Sequence, residues 1–135
     1  MYRKPMPSLH RVLETALYVD DLDRAAHFYE DVLQLRPLIR DERLCAMDVG
    51  GQSVLLLFRR GASLNHTTPH DGSGPLHAGF AIAASELPFW EERLTANDIS
   101  IEERTAWPLG GHSIYFRDPD GHLLELVTPG VWKTY

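Results

Sequence analysis

Cysteine is almost absent from this 135-residue sequence, in which Cys45 is the only one. A single cysteine cannot form an intramolecular disulfide, and such scarcity is typical of proteins in a reducing compartment. We interpret Cys45 as a small core residue, since no neighbour is expected to lower its pKa.

Long hydrophobic runs are also missing. The longest apolar stretch, residues 54–58, is far too short to cross a bilayer. The basic residues near the N-terminus are not followed by the apolar core of a signal peptide. We therefore expect a cytoplasmic protein that does not associate with membranes.

Positive charge is scarce as well, since 13 Lys and Arg residues stand against 19 Asp and Glu residues, for a net charge of −6. This balance argues against a nucleic-acid-binding surface. At 44% hydrophobic residues, the chain is large enough to form one domain with its own core.

The first half of the chain has the pattern of a strand, a helix and three strands. Residues 12–19 have the β-branched and alternating character of a strand, and Asp20 or Asp21 is placed to cap the helix that follows. That helix has a continuous apolar stripe and is predicted to end near Leu33. Three strands are then predicted at residues 37–40, 44–49 and 53–58.

The second half repeats this order after residues 61–75, whose Gly, Pro, Ser and Thr content is typical of a linker or a mobile loop. Ser85 is predicted to cap the second helix, and Asn97 is predicted to end it in a left-handed conformation. The strands of this half are predicted at residues 76–82, 99–104, 113–117 and 123–127.

We interpret the two halves as an internal repeat of βαβββ modules. Neither module is large enough to bury a sheet face alone, so both are expected to form a single α+β domain over residues 1–135. A curved mixed sheet of eight strands would then surround a concave cleft, with the helices outside. The predicted divisions are module one at about 9–60, a linker at 61–75, module two at about 76–128 and a C-terminal tail at 129–135.

The last predicted strand carries a carboxylate that needs an explanation. Residues 118–121 have the composition of a tight turn, and Glu125 then shares one face of the strand with Leu123 and Val127. Because both faces are otherwise apolar, we expect Glu125 to point into the interior. There it would need a cation, a cluster of donors or a metal.

Aligning the two modules brings other metal-competent residues into register. By the first strands, Glu14 lies opposite His77, and by the last strands, Glu125 lies opposite Leu55 or Leu56. Two residues that can bind a metal thus hold equivalent positions, and a third lies on the matching final strand.

These features resemble the vicinal-oxygen-chelate superfamily, which includes glyoxalase I, extradiol dioxygenases, and the fosfomycin- and bleomycin-resistance proteins. The resemblance extends from about Arg11 to Val127, and its strongest segments are residues 17–22, 28–29, 77–80 and 116–126. It implies the paired βαβββ fold and a divalent metal that is held by strand residues of both modules.

The resemblance implies a metal site formed by Glu14, His77 and Glu125. Many relatives have a histidine at the position of Glu14, and the fourth strand here lacks the carboxylate that glyoxalase I uses as a fourth ligand. Glyoxalase I activity is therefore less favoured than the three-ligand chemistry of the dioxygenase and fosfomycin-resistance branches. One imidazole and two carboxylates suit Fe²⁺, Mn²⁺ or a similar divalent ion, and Zn²⁺ and Ni²⁺ are also compatible.

The function implied is that of a metal-dependent enzyme acting on a small molecule that chelates the cation through vicinal oxygens. Dioxygenase, lyase or isomerase, and transferase chemistry all stay open at this point. The alternative is a metal-free protein that sequesters a small molecule in the cleft, as bleomycin-resistance proteins do.

Further residues are assigned by position, with packing or surface roles as the alternative for each. His70 and Tyr115 are the candidates for catalysis. The candidates for substrate binding are Trp107, Arg117 and Trp132.

The candidate ligands also have alternatives that need no metal. Glu125 could form a salt bridge with Arg117, His77 could be a satisfied interior histidine, and Glu14 could bond to His77 or Tyr18. The remaining histidines beside loops are expected to be exposed to solvent, namely His66, His112 and His122.

We also expect a homodimer. Relatives form the cleft either from the two halves of one chain or from halves of two chains exchanged through the linker, and residues 61–75 are long enough for either. After exchange, Glu14 of one subunit would join His77 and Glu125 of the other.

Overall fold

The computed structural model describes residues 3–135, which follow the order β-α-β-β-β twice. The first module contains β1 (Glu14–Val19), α1 (Leu22–Asp31), β2 (Arg36–Arg40), β3 (Leu44–Val49) and β4 (Ser53–Arg59). The second contains β5 (His77–Ala81), a 3₁₀ turn (Ala84–Glu86), α2 (Leu87–Ala96), β6 (Glu103–Ala106), β7 (His112–Arg117) and β8 (Leu123–Val127). In the part of the chain described, no helix is long and apolar enough to cross a membrane.

The strands form two mixed sheets of four, in the orders β1-β4-β3-β2 and β5-β8-β7-β6. In each sheet the first strand of the module pairs in parallel with the last, and the other pairs are antiparallel. The predicted pair of βαβββ modules is confirmed. Within residues 3–135, β1 and β5 do not pair into one eight-stranded sheet. The Tyr18 carbonyl of β1 accepts from His122 and Arg60.

Helix α1 begins at the cap that the sequence predicts. The Asp21 carboxylate accepts the backbone N–H of Arg24 at 3.0 Å, which satisfies a donor that the first turn leaves free. The helix ends at Asp31, and Arg93 of α2 donates to the Val32 carbonyl at 2.8 Å just beyond it. The predicted apolar stripe is buried, at Leu22, Ala25, Ala26 and Tyr29.

Helix α2 differs from its prediction at both ends. Ser85 lies in the 3₁₀ turn, and the helix proper begins at Leu87 with Pro88 in its first turn, where a missing N–H costs no hydrogen bond. Asn97 has a φ of −100°, whereas Asp98 has the left-handed φ of 57°. The chain therefore reverses one residue later than predicted.

Both modules contribute to one hydrophobic core. The inward residues of β1 are Leu17 and Val19, those of β8 are Leu124 and Leu126, and all four are buried in a cluster with the stripe of α1. Because side chains alternate along a strand, Glu125 lies on the opposite, open face of β8. Glu125 is therefore outside the hydrophobic core, but its side chain is only 12% exposed, so it is largely buried beside His77.

The turn between β7 and β8 joins the two modules. Asp118 is buried, and its carboxylate accepts the Tyr29 hydroxyl of α1 at 2.7 Å and the backbone N–H groups of Asp120 and His122 at 2.9 Å. Burial, followed by the charge of Asp118, raises the pKa of Tyr29 well above its ordinary value. The hydroxyl therefore stays protonated and donates to Asp118.

His122 completes this joint from a fully buried position. Its Nδ1 accepts the backbone N–H of Leu76 at 2.8 Å, so Nε2 carries the proton and donates to the Tyr18 carbonyl at 2.7 Å. The expectation that His122 is exposed to solvent is wrong, because the turn folds back against β1. The imidazole thereby ties the first strand of module one to the start of β5.

The Gly- and Pro-rich residues 61–75 pack against the first module. The His70 ring lies edge-on to Phe58, with the centroids 4.4 Å apart, and its Nδ1 is 2.8 Å from the Tyr18 hydroxyl. Gly72 lies so close to Tyr18 that an added Cβ would be 2.4 Å from the ring. These contacts are those of a packed loop rather than of a free linker.

Candidate metal centre

His77 and Glu125 lie side by side on the open face of the second sheet. β5 and β8 are parallel neighbours, with Gly79 in register with Glu125. Nε2 of His77 is 3.3 Å from Oε1 of Glu125, and the two side chains are 51% and 12% exposed. Gly79 lies directly beside the carboxylate, since a Cβ added to it would be in ordinary contact with Oε1, at 3.7 Å. The pair is accessible from solvent, mainly on the side of His77.

The hydrogen bonds of His77 determine which nitrogen faces Glu125. Nδ1 is 2.8 Å from the Leu123 carbonyl oxygen, and a carbonyl can only accept, so Nδ1 carries a proton. In the neutral imidazole, Nε2 then presents a lone pair to a carboxylate oxygen. Two acceptors this close need a cation between them, either a second ring proton or a metal ion. A histidine that donates its other N–H to a backbone carbonyl is the usual arrangement of a metal ligand.

The other oxygen of Glu125 is held from the opposite side. Ser113 of β7 donates to Oε2 at 2.5 Å, and Trp107 donates its indole N–H to the Ser113 hydroxyl at 2.9 Å. Oε1 is consequently the oxygen left to face His77. The sequence points to Trp107 as a substrate-binding residue but gives no signal for Ser113, because a strand hydroxyl is uninformative until its partner is known.

Tyr115, predicted as a catalytic residue, lies next to the pair. It is in register with Glu125 across β7 and β8, and its ring stacks on His77 with the centroids 6.4 Å apart. Burial, followed by the charge of Glu125, raises the pKa of the Tyr115 hydroxyl above its ordinary value. Tyr115 is therefore a neutral phenol at physiological pH and is able to donate a hydrogen bond.

The other predicted site residues bond elsewhere. Arg117 pairs with Glu102, at 3.0 Å between Nε and Oε1, so the alternative salt bridge to Glu125 is not formed. His70 is held in the loop of the first module, and Trp132 is largely exposed after β8. In the described chain, none of these three predicted residues bonds to the histidine–carboxylate pair.

The strand registers identify the counterpart of Glu125 in the first module. Ala16 of β1 is in register with Leu56, as Gly79 of β5 is with Glu125. Both Ala16 and Gly79 lie two residues after the candidate ligand that begins their strand. Leu56, and not the buried Leu55, therefore occupies the equivalent position, and it offers no fourth carboxylate.

Glu14 is exposed at the start of β1 and does not join the pair within one chain. Among residues 3–135, no three His, Cys, Asp or Glu side chains lie close enough together to hold a metal ion. Glu14 does not bond to His77 or Tyr18 either, since these side chains bond to Leu123 and His70. The described chain supplies two adjacent ligands in one place, an imidazole and a carboxylate.

Comparison with known proteins gives the family. The model of the Glyoxalase/Bleomycin resistance protein/Dioxygenase superfamily matches residues 11–126. Metallothiol transferase FosB of Bacillus licheniformis is 33% identical over 115 residues, which cover 84% of this chain and 72% of that protein. The probable lactoylglutathione lyase of Vibrio cholerae is 26% identical over 129 residues, which cover 89% of this chain and 91% of that protein.

A solved structure gives the same result for the fold. The crystal structure of lactoylglutathione lyase from Agrobacterium tumefaciens matches with a TM-score of 0.88 at 33% identity, covering 94% of this chain and 99% of that chain. All three relatives are named as enzymes, and one is named for its metal, so they support a metal-dependent enzymatic function. On the match over residues 11–126, the chain belongs to the glyoxalase/bleomycin resistance protein/dioxygenase superfamily.

Proposed function

We propose that the protein is a metal-dependent enzyme acting on a small molecule that binds a divalent cation through two adjacent oxygens. The observation that carries this proposal is the His77–Glu125 pair, with Nε2 and Oε1 3.3 Å apart. The second heteroatom of each side chain is already engaged, by the Leu123 carbonyl and by the Ser113 hydroxyl. Both free atoms therefore present lone pairs to the same point, which suits a cation such as Fe²⁺ or Mn²⁺.

The residues of the second sheet have distinct roles in this proposal. A bound divalent ion would supply Lewis-acid polarisation of a chelating oxygen. His77 and Glu125 hold the ion, and Ser113 orients the carboxylate. Tyr115, which remains protonated, donates a hydrogen bond to the ligand from the side of the site where its ring stacks on His77.

The third ligand is Glu14 of a second copy of the chain. Within one chain Glu14 is exposed, and the arm that precedes it carries apolar side chains with almost no cover, Leu9 at 98% and Val12 at 77% exposure. Exposed apolar residues beside the free edge of a strand are typical of an association surface. We therefore propose a homodimer with two sites, each formed by Glu14 of one copy and the pair of the other.

The chemistry of the relatives narrows the reaction class. The metallothiol transferase and the lactoylglutathione lyases are all named for thiol compounds, so a low-molecular-weight thiol is the proposed co-substrate. A lyase of the glyoxalase I type uses a fourth carboxylate where this chain has Leu56, which cannot accept a proton. Transfer or addition of a thiol is therefore favoured over isomerisation. Dioxygenation is placed lower, because oxygen-activating iron sites use two histidines and one carboxylate.

A second candidate function is metal-free binding of a small molecule. It is favoured by one reading of the same pair, in which His77 is an imidazolium that donates Nε2–H to Glu125. That arrangement satisfies both side chains without a metal. The two functions differ in what the pair does with added cations.

Metal titration separates the two functions. Mn²⁺ is titrated by calorimetry into chelator-treated protein, with Glu125→Gln as the test variant and Glu92→Gln, on the exposed face of α2, as the matched control. We expect one Mn²⁺ per chain for wild type and control. Glu125→Gln should weaken binding by more than the roughly 10–100-fold that loss of an outer-shell partner costs.

Two results would contradict the enzyme proposal. One is the absence of stoichiometric Mn²⁺ or Fe²⁺ binding by the wild-type protein. The other is equal binding by wild type and Glu125→Gln, which would place the cation away from the pair. The first result favours the metal-free binder, and the second overturns the assignment of His77 and Glu125 as metal ligands.

A further inference from the structure

We propose that Ser113, itself oriented by Trp107, is a positioning residue that makes Glu125 bind the metal through one oxygen only. This inference rests on the proposed metal site. It adds a function to two residues that act on the cation only through Glu125.

The geometry of Ser113 fixes the direction of its proton. Its side chain is 1% exposed, and its Oγ lies 2.9 Å from the indole nitrogen of Trp107 and 2.5 Å from Oε2 of Glu125. An indole N–H can only donate, so the Ser113 oxygen must accept from it. The hydroxyl proton is thereby directed at Glu125.

The strand register makes this contact specific to one carboxylate oxygen. Ser113 is in register with Val127, and Tyr115 is in register with Glu125, so Ser113 is the diagonal neighbour of Glu125 on the same face. It approaches from β7, on the side away from β5. Oε1 is left on the side of β5, where Nε2 of His77 lies.

The hydrogen bond from Ser113 to Oε2 favours coordination of the metal ion by Oε1 of Glu125 alone. A hydrogen bond of 2.5 Å to an ionised carboxylate is in the short, charge-assisted class. Coordination by both oxygens would place the cation and the Ser113 proton on the same oxygen, Oε2, so the two would compete for its electron density. If Glu125 binds through one oxygen, it occupies one coordination position of the metal ion instead of two. A substrate that chelates through two oxygens needs two coordination positions that the protein leaves open.

The decisive variant is Ser113→Ala, and the matched control is Ser63→Ala. Ser63 is also 1% exposed and accepts a hydrogen bond from Arg43 at 3.0 Å, but it lies in the loop of the first module. Both variants lose one buried hydroxyl that is bonded to a charged group. Only Ser113→Ala releases the Glu125 carboxylate.

Two measurements are made on each full-length variant, namely Mn²⁺ affinity by calorimetry and water proton relaxivity per bound Mn²⁺. For Ser113→Ala we expect affinity to fall about 10–100-fold, as for other outer-shell partners. Relaxivity per bound ion should also fall, because the freed Oε2 replaces a coordinated water. Ser63→Ala should match wild type in both, and Trp107→Phe should shift both in the direction of Ser113→Ala by a smaller amount.

The outcomes separate this inference from the metal site itself. If wild type binds Mn²⁺ and Ser113→Ala has wild-type relaxivity per bound ion, the positioning role is overturned and the metal site stands. If wild type binds no stoichiometric Mn²⁺, the proposed function and this inference both fail. If Ser113→Ala does not fold, unchanged relaxivity in Trp107→Phe overturns the inference in the same way.

Discussion

Replacing Tyr29 with Phe removes one hydroxyl from the joint between the modules and leaves the ring in place. That hydroxyl donates to the buried Asp118 carboxylate at 2.7 Å, and Tyr29 is itself fully buried. A hydrogen bond to a charged group contributes about 1.5–3 kcal/mol. Because Asp118 keeps two backbone donors, we take about 2 kcal/mol as the expected loss in the free energy of unfolding.

The loss corresponds to a clear shift in thermal unfolding. For a chain of this length, about 1 kcal/mol shifts Tm by roughly 3–5 °C, so Tyr29→Phe should unfold roughly 6–10 °C below wild type. Urea unfolding gives the free energy directly and checks that the transition stays two-state. The matched control is Tyr135→Phe, whose hydroxyl donates to the Ile82 carbonyl at 3.1 Å near the C-terminus and should contribute about 1 kcal/mol or less.

The same variant should change the alkaline limb of the stability profile. Burial, followed by Asp118, raises the pKa of Tyr29, whereas the unfolded phenol ionises near its ordinary pKa of about 10. Above that pH the unfolded state binds fewer protons than the folded state, so wild-type stability falls as pH rises. Tyr29→Phe lacks this contribution and should show a shallower fall between about pH 9 and pH 11. A loss no larger than that of Tyr135→Phe, with an unchanged alkaline slope, would refute the role of the joint.

Two further predictions concern the loop and the shared site. Gly72→Ala should destabilise the protein by about 1–3 kcal/mol in urea unfolding, because the new Cβ would lie 2.4 Å from the Tyr18 ring. The neighbouring control, Ser73→Ala, should change the free energy of unfolding by less than about 0.5 kcal/mol. Equal effects of the two substitutions would contradict the packing of the loop. Neither Glu14→Gln nor Glu125→Gln should bind Mn²⁺ alone. When the two variants are refolded together, about a quarter of the wild-type Mn²⁺ capacity should return, since about half of the dimers contain one copy of each variant and such a dimer has one intact site of two. No recovery in the mixture would rule out a site shared between chains.

The sequence predicts the helices and strands well, because these follow from local patterns. The apolar stripe of α1 and the turn before Glu125 are periodic or compositional signals, and the structure agrees with each. Cys45 is also buried as expected, and burial raises the pKa of its thiol. That His77 and Glu125 belong together is what the family resemblance implies, and the parallel pairing of β5 with β8 brings the two side chains side by side.

The features that the sequence misses depend on contacts between distant segments. His122 follows a polar turn and looks exposed, but it is buried because the turn meets β1 from the other module. Alternation along β8 defines two faces but does not tell which of them joins the hydrophobic core, so the sequence does not show that Glu125 lies outside that core. The chain from Trp107 through Ser113 to Glu125 exists only once β7 and β8 are in register.

The position of a bound ion is the most direct measure of whether these residues form one shared metal centre. Crystals of the Mn²⁺-loaded protein can be examined by anomalous diffraction at the manganese edge. We predict one peak per chain, about 2.0–2.4 Å from Nε2 of His77 and Oε1 of Glu125, with the Glu14 carboxylate of a second copy as the third protein ligand. A peak away from His77 and Glu125, or a direct hydrogen bond between these side chains with no ion between them, would contradict the shared metal centre.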